Sequence, residues 1–555
     1  MIGVLAQQHP AWLIEEFFQL FKTPWEHYRP GASYDVLLSA EPETPREAAW
    51  LTVAMGVGRT DLDERLGLGL AEGARSAMVQ CGEETFPLYD AWVAVTGPAG
   101  AQPLGRVGDQ SIGLEMSGDG GTVLRLGYDL FGETGRILRE GQPVAHAAIP
   151  TVDLHVNRLR GWMRKAGVNF VEIPPVPHGH RFMVSLTHDI DFIGLRQHRF
   201  DHTMLGFLYR ATVGSLWNAL RGRLSPSRMW RNWWAAARLP FVHMGMARDF
   251  WLPFPWYLEV ESGLPATYYL IPFKRRPGQN VVSPHPARRG TAYDVTDMPE
   301  WTRRLLEAGC EIGVHGIDAW HDVALGREER GRIESATGGS ETGIRMHWLQ
   351  FDARSYSVLE EAGYDYDSTM GYNETVGYRH GTSQVFRPPG ARRLLEMPMH
   401  IQDGALFYPA QMGLTEAEAR AHCDRMVDLA TRHGGVLTLL WHDRSHAPER
   451  FWGDFYRDLV GDLKTHQPWF ASGSQVVRWF RRRRAVRFGG RDGQPVVDVE
   501  PASKLPPMTV RRHHRDGFSD EAWIGKVRHQ PSGESCSREN PSEASAGGVG
   551  HASSH

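Results

Sequence analysis

The chain has 555 residues, enough for about three or four domains of ordinary size, and 41% of them are hydrophobic and 23% charged, as in globular proteins. Its 61 basic and 65 acidic residues give a net charge of −4, which excludes a protein that coats nucleic acid through an overall positive field. The four cysteines are far apart and form no C-x-x-C pair, so neither a disulfide framework nor a thiolate zinc site is expected.

The N-terminal region, residues 1–150, predicts a small α/β domain of unknown role. Residues 45–57 favour a helix, and residues 122–126 alternate as a strand does. The first twenty residues have no basic start, and no apolar run reaches the roughly 18 residues of a membrane span, so we expect a cytoplasmic protein. The sequence Pro-Pro-Val-Pro that ends at Pro177 indicates that residues 151–180 are a linker.

Residues 181–484 alternate short apolar runs with predicted helices, which is the pattern of a β/α barrel. A helix is predicted over residues 298–308. Buried strands are predicted over residues 182–187, 266–271, 311–314 and 435–441. In such a barrel the catalytic residues are expected at the carboxyl ends of the strands.

Two further segments of this region differ in composition. Residues 194–247 are rich in arginine and tryptophan and are interpreted as an amphipathic helical insertion that caps the barrel; a peripheral contact with a membrane or another anionic partner is the alternative. Four arginines at 481–484 favour a helix C-terminus over a nucleic-acid signal, and no nucleic-acid partner is expected. Residues 485–555 form a tail, predicted to be largely disordered from about Arg511 because it is too polar to bury a core.

The first barrel strand runs into the sequence Thr187-His-Asp-Ile-Asp191. Residues two apart share one face of an extended chain, so Asp189 and Asp191 project together while His188 points the other way. Two close carboxylates repel each other unless a cation or a shared proton compensates their charge. The motif therefore predicts a charged site at this strand end.

Three later strand ends carry histidine or arginine. His315 follows the run Glu-Ile-Gly-Val, and imidazole suits a cation such as zinc. His321 lies six residues on, so a helix would turn it about 120° away, and only a loop would bring both rings to one ion. Arg345 and His347 share a face if extended, where the arginine could orient a carboxylate and the histidine could complete a metal site. His442 ends the last run and could donate a proton.

These motifs, with Gly363-Tyr-Asp-Tyr-Asp-Ser-Thr369 between them, follow one another as they do in polysaccharide deacetylases (NodB homology, carbohydrate esterase family 4), which residues 181–484 resemble. The resemblance implies a distorted β/α barrel and a divalent metal, often zinc, that hydrolyses N-acetyl groups on sugars. The resemblance also implies that Asp189 is the catalytic base and Asp191 a metal ligand. The family has adjacent acids where Ile190 separates them here, so the two roles stay exchangeable.

The second motif departs from the family pattern. Its second histidine would fall on Ala319, so one metal ligand is missing there. We expect His347 to replace it, giving a metal site of Asp191, His315 and His347, with His321 in reserve. Of the later motif, Asp365 or Asp367 is expected to tune His442 or to hold Arg345.

The predicted reaction is metal-dependent cleavage of the amide of an N-acetylated sugar or sugar conjugate into acetate and a free amine. Asp189 takes a proton from water, Arg345 holds that carboxylate, and His442 protonates the leaving amine. Three aromatic residues are candidates for stacking on a sugar ring: Trp320, Trp348 and Trp441. Two alternatives stay open, a C–N hydrolase that acts on a non-sugar amide and a catalytically inactive carbohydrate-binding barrel.

Overall fold

In the computed structural model, the N-terminal unit is a mixed sheet covered by helices. The structure describes residues 1–45, 49–73, 75–118, 121–199, 201–222, 224–281, 289–339, 342–489, 494–497 and 505–523. The elements of the N-terminal unit are β1 (Ile2–Leu5), α1 (Ala11–Leu20), β2 (Trp25–His27), β3 (Tyr34–Ser39), β4 (Ala49–Met55), α2 (Asp61–Arg65), β5 (Gly69–Glu72), β6 (Ala77–Cys81), β7 (Glu84–Leu88), β8 (Val93–Thr96), β9 (Gln102–Val107), β10 (Gln110–Gly118), β11 (Gly121–Leu126), α3 (Leu130–Glu140), α4 (Thr151–Lys165) and β12 (Phe170–Glu172).

The main sheet of this unit has the strand order β2-β1-β3-β4-β11-β10-β9-β6-β7. Its first five strands are parallel and its remaining pairs antiparallel. The expected helix over residues 45–57 is therefore wrong, because the central strand β4 lies there between β3 and β11. A parallel strand buried on both faces reads as a continuous apolar run, and periodicity does not separate such a run from a buried helix.

The expected linker over residues 151–180 is also corrected. It contains α4, whose side chains Val152, Leu159 and Met163 are fully buried in the core of the N-terminal unit, and β12. The prolines up to Pro177 do connect two units, but the N-terminal unit extends to Glu172.

The second unit consists of parallel strands alternating with helices. Its elements are β13 (Met183–Ile190), α5 (His202–Tyr209), α6 (Ser215–Leu220), α7 (Pro226–His243), α8 (Phe254–Val260), β14 (Ala266–Leu270), α9 (Pro299–Glu307), β15 (Glu311–Gly316), α10 (Val323–Thr337), β16 (Gly343–Met346), α11 (Ser355–Ala362), β17 (Tyr366–Asp367), β18 (Leu395–Glu396), β19 (Ile401–Gln402), α12 (Asp403–Phe407), α13 (Glu416–His433), β20 (Val436–Leu440), α14 (Trp452–Leu463), β21 (Trp469–Phe470) and α15 (Gly473–Ala485).

The strand order β18-β17-β16-β15-β14-β13-β20-β19, with β21 also on β13, makes a distorted (β/α) barrel of the predicted kind. Every neighbouring pair is parallel. The carboxyl ends of β13, β15, β16 and β20 therefore meet at one edge. Each of the four predicted strands and the predicted helix, α9, is present. Among the described helices, none is both long and apolar enough to cross a membrane.

Part of the predicted tail is ordered. The remaining elements are β22 (Val486–Gly489), β23 (Gln494–Val497), β24 (Met508–His514) and β25 (Gly517–Trp523). Strands β24 and β25 pair with each other, and β24 pairs with β12 of the N-terminal unit. Disorder from about Arg511 is therefore corrected up to Trp523, since β24 and β25 cover most of that stretch and His513 is buried there. Residues 524–555, on which the rest of that prediction falls, lie outside the described residues.

Candidate active site and metal centre

The carboxyl end of β13 supplies two carboxylates to one site. Asp189 is the penultimate residue of the strand, and Asp191 follows its end. His188, which directly precedes Asp189, is buried on the opposite face, where its Nε2 lies 2.8 Å from Oε1 of Glu261. The alternation predicted for this strand end is therefore present.

Two imidazoles from the neighbouring strands approach Asp191. His315, in β15, and His347, directly after β16, place their Nε2 atoms 3.5 Å and 3.2 Å from Asp191 Oδ1. Nδ1 of His315 lies 3.0 Å from the carbonyl oxygen of Arg345. A carbonyl oxygen only accepts, so this Nδ1 donates, which leaves Nε2 as the atom that faces Asp191.

This arrangement fits a metal ion. The three ligand atoms lie within 4.8 Å of one another, and the structure contains buried polar atoms there, Asp191 Oδ1 and His347 Nδ1, with no hydrogen-bond partner among the described residues. Burial lowers the pKa of His347 to about 4, so its ring is neutral near pH 7. Ligand atoms that converge in this way could hold a cation, and two imidazoles with a carboxylate are a ligand set that suits zinc.

The reserve ligand lies elsewhere. His321 Nε2 lies 3.1 Å from Asp318 Oδ1 and does not belong to the cluster. Ala319, at the position of the missing family histidine, is fully buried. His347, and not His321, thus stands beside Asp191 and His315.

Asp189 borders the cluster and is held by Arg345. The guanidinium donates from Nη1 to Asp189 Oδ1 at 3.0 Å and to Thr187 Oγ1 at 2.8 Å, and it lies 4.5 Å from the centre of the Tyr269 ring. The second oxygen of Asp189 is 3.9 Å from His315 Nε2. Asp191 contacts both imidazoles, whereas Asp189 is anchored by the arginine, so the two acids differ in surroundings.

His442 follows β20 and is held by Asp403, which the sequence analysis missed. Asp403 Oδ1 lies 2.6 Å from His442 Nδ1, and Ser445 donates its hydroxyl to Asp403. Although burial favours the neutral ring, Asp403 raises the pKa of His442 to about 10. Asp403 follows a strand of only two residues, β19, so no apolar run marked it in the sequence.

The roles expected for Asp365 and Asp367 belong to other residues. Asp365 accepts from the backbone of Thr342, and Asp367 accepts from Thr369. The partner of His442 is Asp403, and Arg345 is held on its other side by Ser368, whose carbonyl and hydroxyl oxygens both accept at 2.9 Å.

The metal cluster opens into a cleft of about 420 Å³ that also contains His442. Its lining residues are Asp189, Asp191, His315, His347, Trp348, Leu349, Asn373, Glu374, Gln402, Gly404, Tyr408, Gln411, Leu440 and His442. Of the three aromatic candidates, only Trp348 lines it. Trp320 and Trp441 are corrected, because both are buried in the barrel core and neither can stack on a ligand in the cleft.

Comparisons with known proteins give structural neighbours only. No protein-family profile matches the chain, and no curated protein does. A candidate polysaccharide deacetylase from Mycobacterium smegmatis matches with 19% identity and a TM-score of 0.34, over 56% of this chain and 94% of its own. PuuE allantoinase matches with 15% identity and a TM-score of 0.33, over 55% and 92%.

A third solved structure spans both units. Agd3, a carbohydrate deacetylase, matches with 8% identity and a TM-score of 0.34, over 95% of this chain and 96% of its own. Polysaccharide deacetylases are thus among the structures to which this chain is similar, as the motifs predict.

Proposed function

We propose that the chain is a metal-dependent hydrolase that cleaves the amide of an N-acetylated sugar or sugar conjugate into acetate and a free amine. The observation that carries the proposal is the convergence of Asp191, His315 and His347 in a cleft that also contains Asp189 and His442. A metal cluster beside a candidate base and a candidate acid is what amide hydrolysis needs.

Asp191, His315 and His347 would hold a divalent ion, most suitably zinc. Such an ion polarises an acyl carbonyl and lowers the pKa of water. Asp189, fixed by Arg345, is placed to take the proton of the attacking water. The geometry supports this division of roles because Asp191 is the acid that faces both imidazoles.

His442 completes the reaction as the acid. Its Nδ1 is engaged by Asp403, which leaves Nε2 to deliver a proton to the amine nitrogen as the tetrahedral intermediate collapses. An amine leaves poorly unless it is protonated, so this proton transfer decides which bond breaks. The charged pair also keeps the ring in one orientation towards the cleft.

The cleft supports a sugar-sized substrate. Its volume of about 420 Å³ is typical of small-ligand sites, and its wall carries hydrogen-bonding side chains from Asn373, Glu374, Gln402 and Gln411. Trp348 offers a ring for stacking at the same wall. These features favour a polyhydroxylated ligand over an apolar amide.

Two substitutions separate binding of the metal from chemistry. The wild-type protein is expected to hold one equivalent of zinc, and Asp191→Asn is expected to lose it. Asp189→Asn is expected to keep the zinc while acetate release from N-acetylglucosamine oligomers falls by roughly 100-fold or more, the usual contribution of a general base. Zinc content by elemental analysis and acetate release measure the two effects, with His321→Ala as the matched control that changes neither.

Each alternative has its own result. Ring opening of a cyclic amide without acetate release would assign the cleft to a non-sugar amide. A metal-free protein that still binds glycans would be an inactive binding barrel, and the hydrolase proposal would then be abandoned.

A further inference from the structure

The helical insertion after β13 has an extreme charge composition. Residues 202–248 contain seven arginines and not one aspartate, glutamate or lysine, in a chain whose net charge is −4. With its histidines neutral, this segment therefore carries a net charge of +7, and it is formed by α5, α6, α7 and the loop that follows.

The same segment exposes most of the apolar side chains that are exposed anywhere in the described residues. Eleven of the nineteen large hydrophobic residues with exposed side chains lie in it. They are Leu205, Tyr209, Val213, Leu216, Trp217, Leu220, Trp230, Trp234, Phe241, Met244 and Met246. We call these side chains, with the arginines between them, the arginine–tryptophan surface. Trp230 and Trp234 are 62% and 66% exposed, which is unusual for the largest apolar side chain.

The spacing shows that this exposure follows the helices. Leu205, Tyr209, Val213 and Trp217 recur every four residues, and Trp230 and Trp234 do the same on α7. The opposite faces are already buried in a core of their own, made by Met204, Phe207, Ala211, Ala235, Leu239, Val242 and Trp251 among others. The helices therefore have one apolar face that is packed within the fold and another that is exposed among the described residues.

We propose that the arginine–tryptophan surface docks on the surface of an anionic lipid bilayer. Helices that lie in a membrane interface combine an apolar stripe with cationic side chains, and tryptophan and tyrosine favour the headgroup region. Each arginine near an anionic leaflet adds to the binding. The segment itself contains no acid, and two of its arginines, Arg228 and Arg231, face carboxylates of the barrel, Glu416 and Asp454. The charge of the segment and its exposed apolar side chains thus both favour an anionic lipid surface.

A second copy of the chain fits this surface less well. A symmetric dimer through it would bring the arginines of one copy against those of the other. The eight other large apolar residues exposed among the described residues are scattered along the sequence, outside this segment: Trp50, Val57, Met78, Val144, Val281, Leu306, Tyr408 and Phe518.

The surface belongs to the edge of the barrel that carries the cleft. The insertion begins three residues after Asp191, and the guanidinium groups of Arg228 and Arg231 lie 5.2 Å and 5.6 Å from the ring of Phe451, in the loop that follows His442. Docking would therefore bring the cleft to the bilayer. That consequence rests on the proposed function, whereas the docking itself does not.

Vesicle co-sedimentation of the full chain tests the proposal. The protein is expected to bind vesicles of phosphatidylcholine mixed with phosphatidylglycerol, to bind phosphatidylcholine alone weakly, and to be released by salt. Arg221→Glu with Arg238→Glu should weaken binding by more than about 30-fold, since the loss of each arginine near an anionic surface costs about fivefold and each new carboxylate is repelled as well. Trp230→Ala with Trp234→Ala should also weaken binding, because it removes the apolar part of the contact.

Matched controls lie on other surfaces. Arg392→Glu with Arg393→Glu makes the same change of charge, and Trp50→Ala removes a tryptophan that is 54% exposed on the N-terminal unit; both should bind as the wild type does. The proposal is overturned if the wild type binds neither vesicle, if both pairs of variants bind unchanged, or if sedimentation shows a dimer that the tryptophan variant dissociates. No readout uses catalysis, so these results are independent of whether the chain hydrolyses amides.

Discussion

His442 is a histidine whose surroundings favour its charged form. Burial alone would lower its pKa, but the Asp403 carboxylate at 2.6 Å, with Asp189 and Asp191 nearby, raises the pKa to about 10. At neutral pH the ring is therefore protonated, as an acid that serves a leaving amine must be. In the proposed reaction Asp403 is a positioning residue, because it would act only through His442.

Replacement of Asp403 by Asn should change how stability depends on pH. The folded-state pKa of His442 lies above its ordinary 6.5, so the pair stabilises the fold fully below about pH 6.5, and this stabilisation is lost as the pH rises through about 10. Asp403→Asn should therefore lower the free energy of unfolding by about 2 kcal/mol near pH 6, and by less in alkali. Denaturant unfolding across this pH range measures the difference. Ser445→Ala removes another hydrogen bond to Asp403 but no charge, so the decrease in the free energy of unfolding that it causes should not vary with pH.

At the scale of elements, the turns that carry the two imidazoles are held together by Arg289. Its guanidinium is buried and donates to carbonyl oxygens of both turns and of the loop before them, namely those of Pro277, Gln279, Gly316, Ile317 and His347. Directly after His347, Trp348 and Leu349 have φ values of +62° and +51°, a left-handed conformation that costs free energy in residues other than glycine. The arginine fixes this strained turn at the edge of the cleft.

Arg289→Met should loosen the metal site without removing a ligand. The side chain keeps a similar volume but leaves buried carbonyl oxygens without donors, so the free energy of unfolding should fall by about 3 kcal/mol. Zinc affinity should fall roughly 10- to 100-fold, as for other residues that orient ligands. Denaturation and zinc competition with a chelator measure the two effects. Arg303→Met, on an exposed helix face, is the control and should change neither the free energy of unfolding nor the zinc affinity. If Arg289→Met leaves the zinc affinity unchanged, the two turns keep their conformation without the arginine.

The elements found from sequence are those whose residues carry a local signal. Strands β13, β14, β15 and β20 are apolar runs because parallel strands are buried on both faces, and the polar residues at their ends mark the site. Helix α4 also had a local signal, because apolar residues recur at helical spacing from Val152 to Met163. The prolines nearby favoured a linker instead, and the helix was therefore not predicted. Asp403 and Arg289 had none, because a two-residue strand and a buried loop arginine are defined only by tertiary contacts.

At the scale of the whole molecule, the arginines at the end of α15 join the barrel to the N-terminal unit. Arg483 is buried and donates to the carbonyl oxygens of Gln19 and Leu20, where α1 ends. Arg484 forms a bidentate ion pair with Glu16, with N–O distances of 2.8 Å and 2.7 Å, and this glutamate is fully buried. The predicted helix C-terminus is thus also an interface between the two units.

Arg484→Met should weaken the coupling of the two units more than it weakens either unit. It leaves the Glu16 carboxylate buried without its main cation, which costs about 3 kcal/mol or more. Calorimetry should show the variant unfolding in two separate steps, the unit containing Glu16 first. Zinc bound by Asp191, His315 and His347 should remain through that step, because all three residues belong to the barrel. Arg478→Met, on the exposed face of the same helix, is the matched control and should unfold as the wild type does. If Arg484→Met also unfolds as the wild type does, the ion pair contributes nothing to the coupling, and other contacts hold the two units together, among them the bonds of Arg483 to Gln19 and Leu20 and the pairing of β24 with β12.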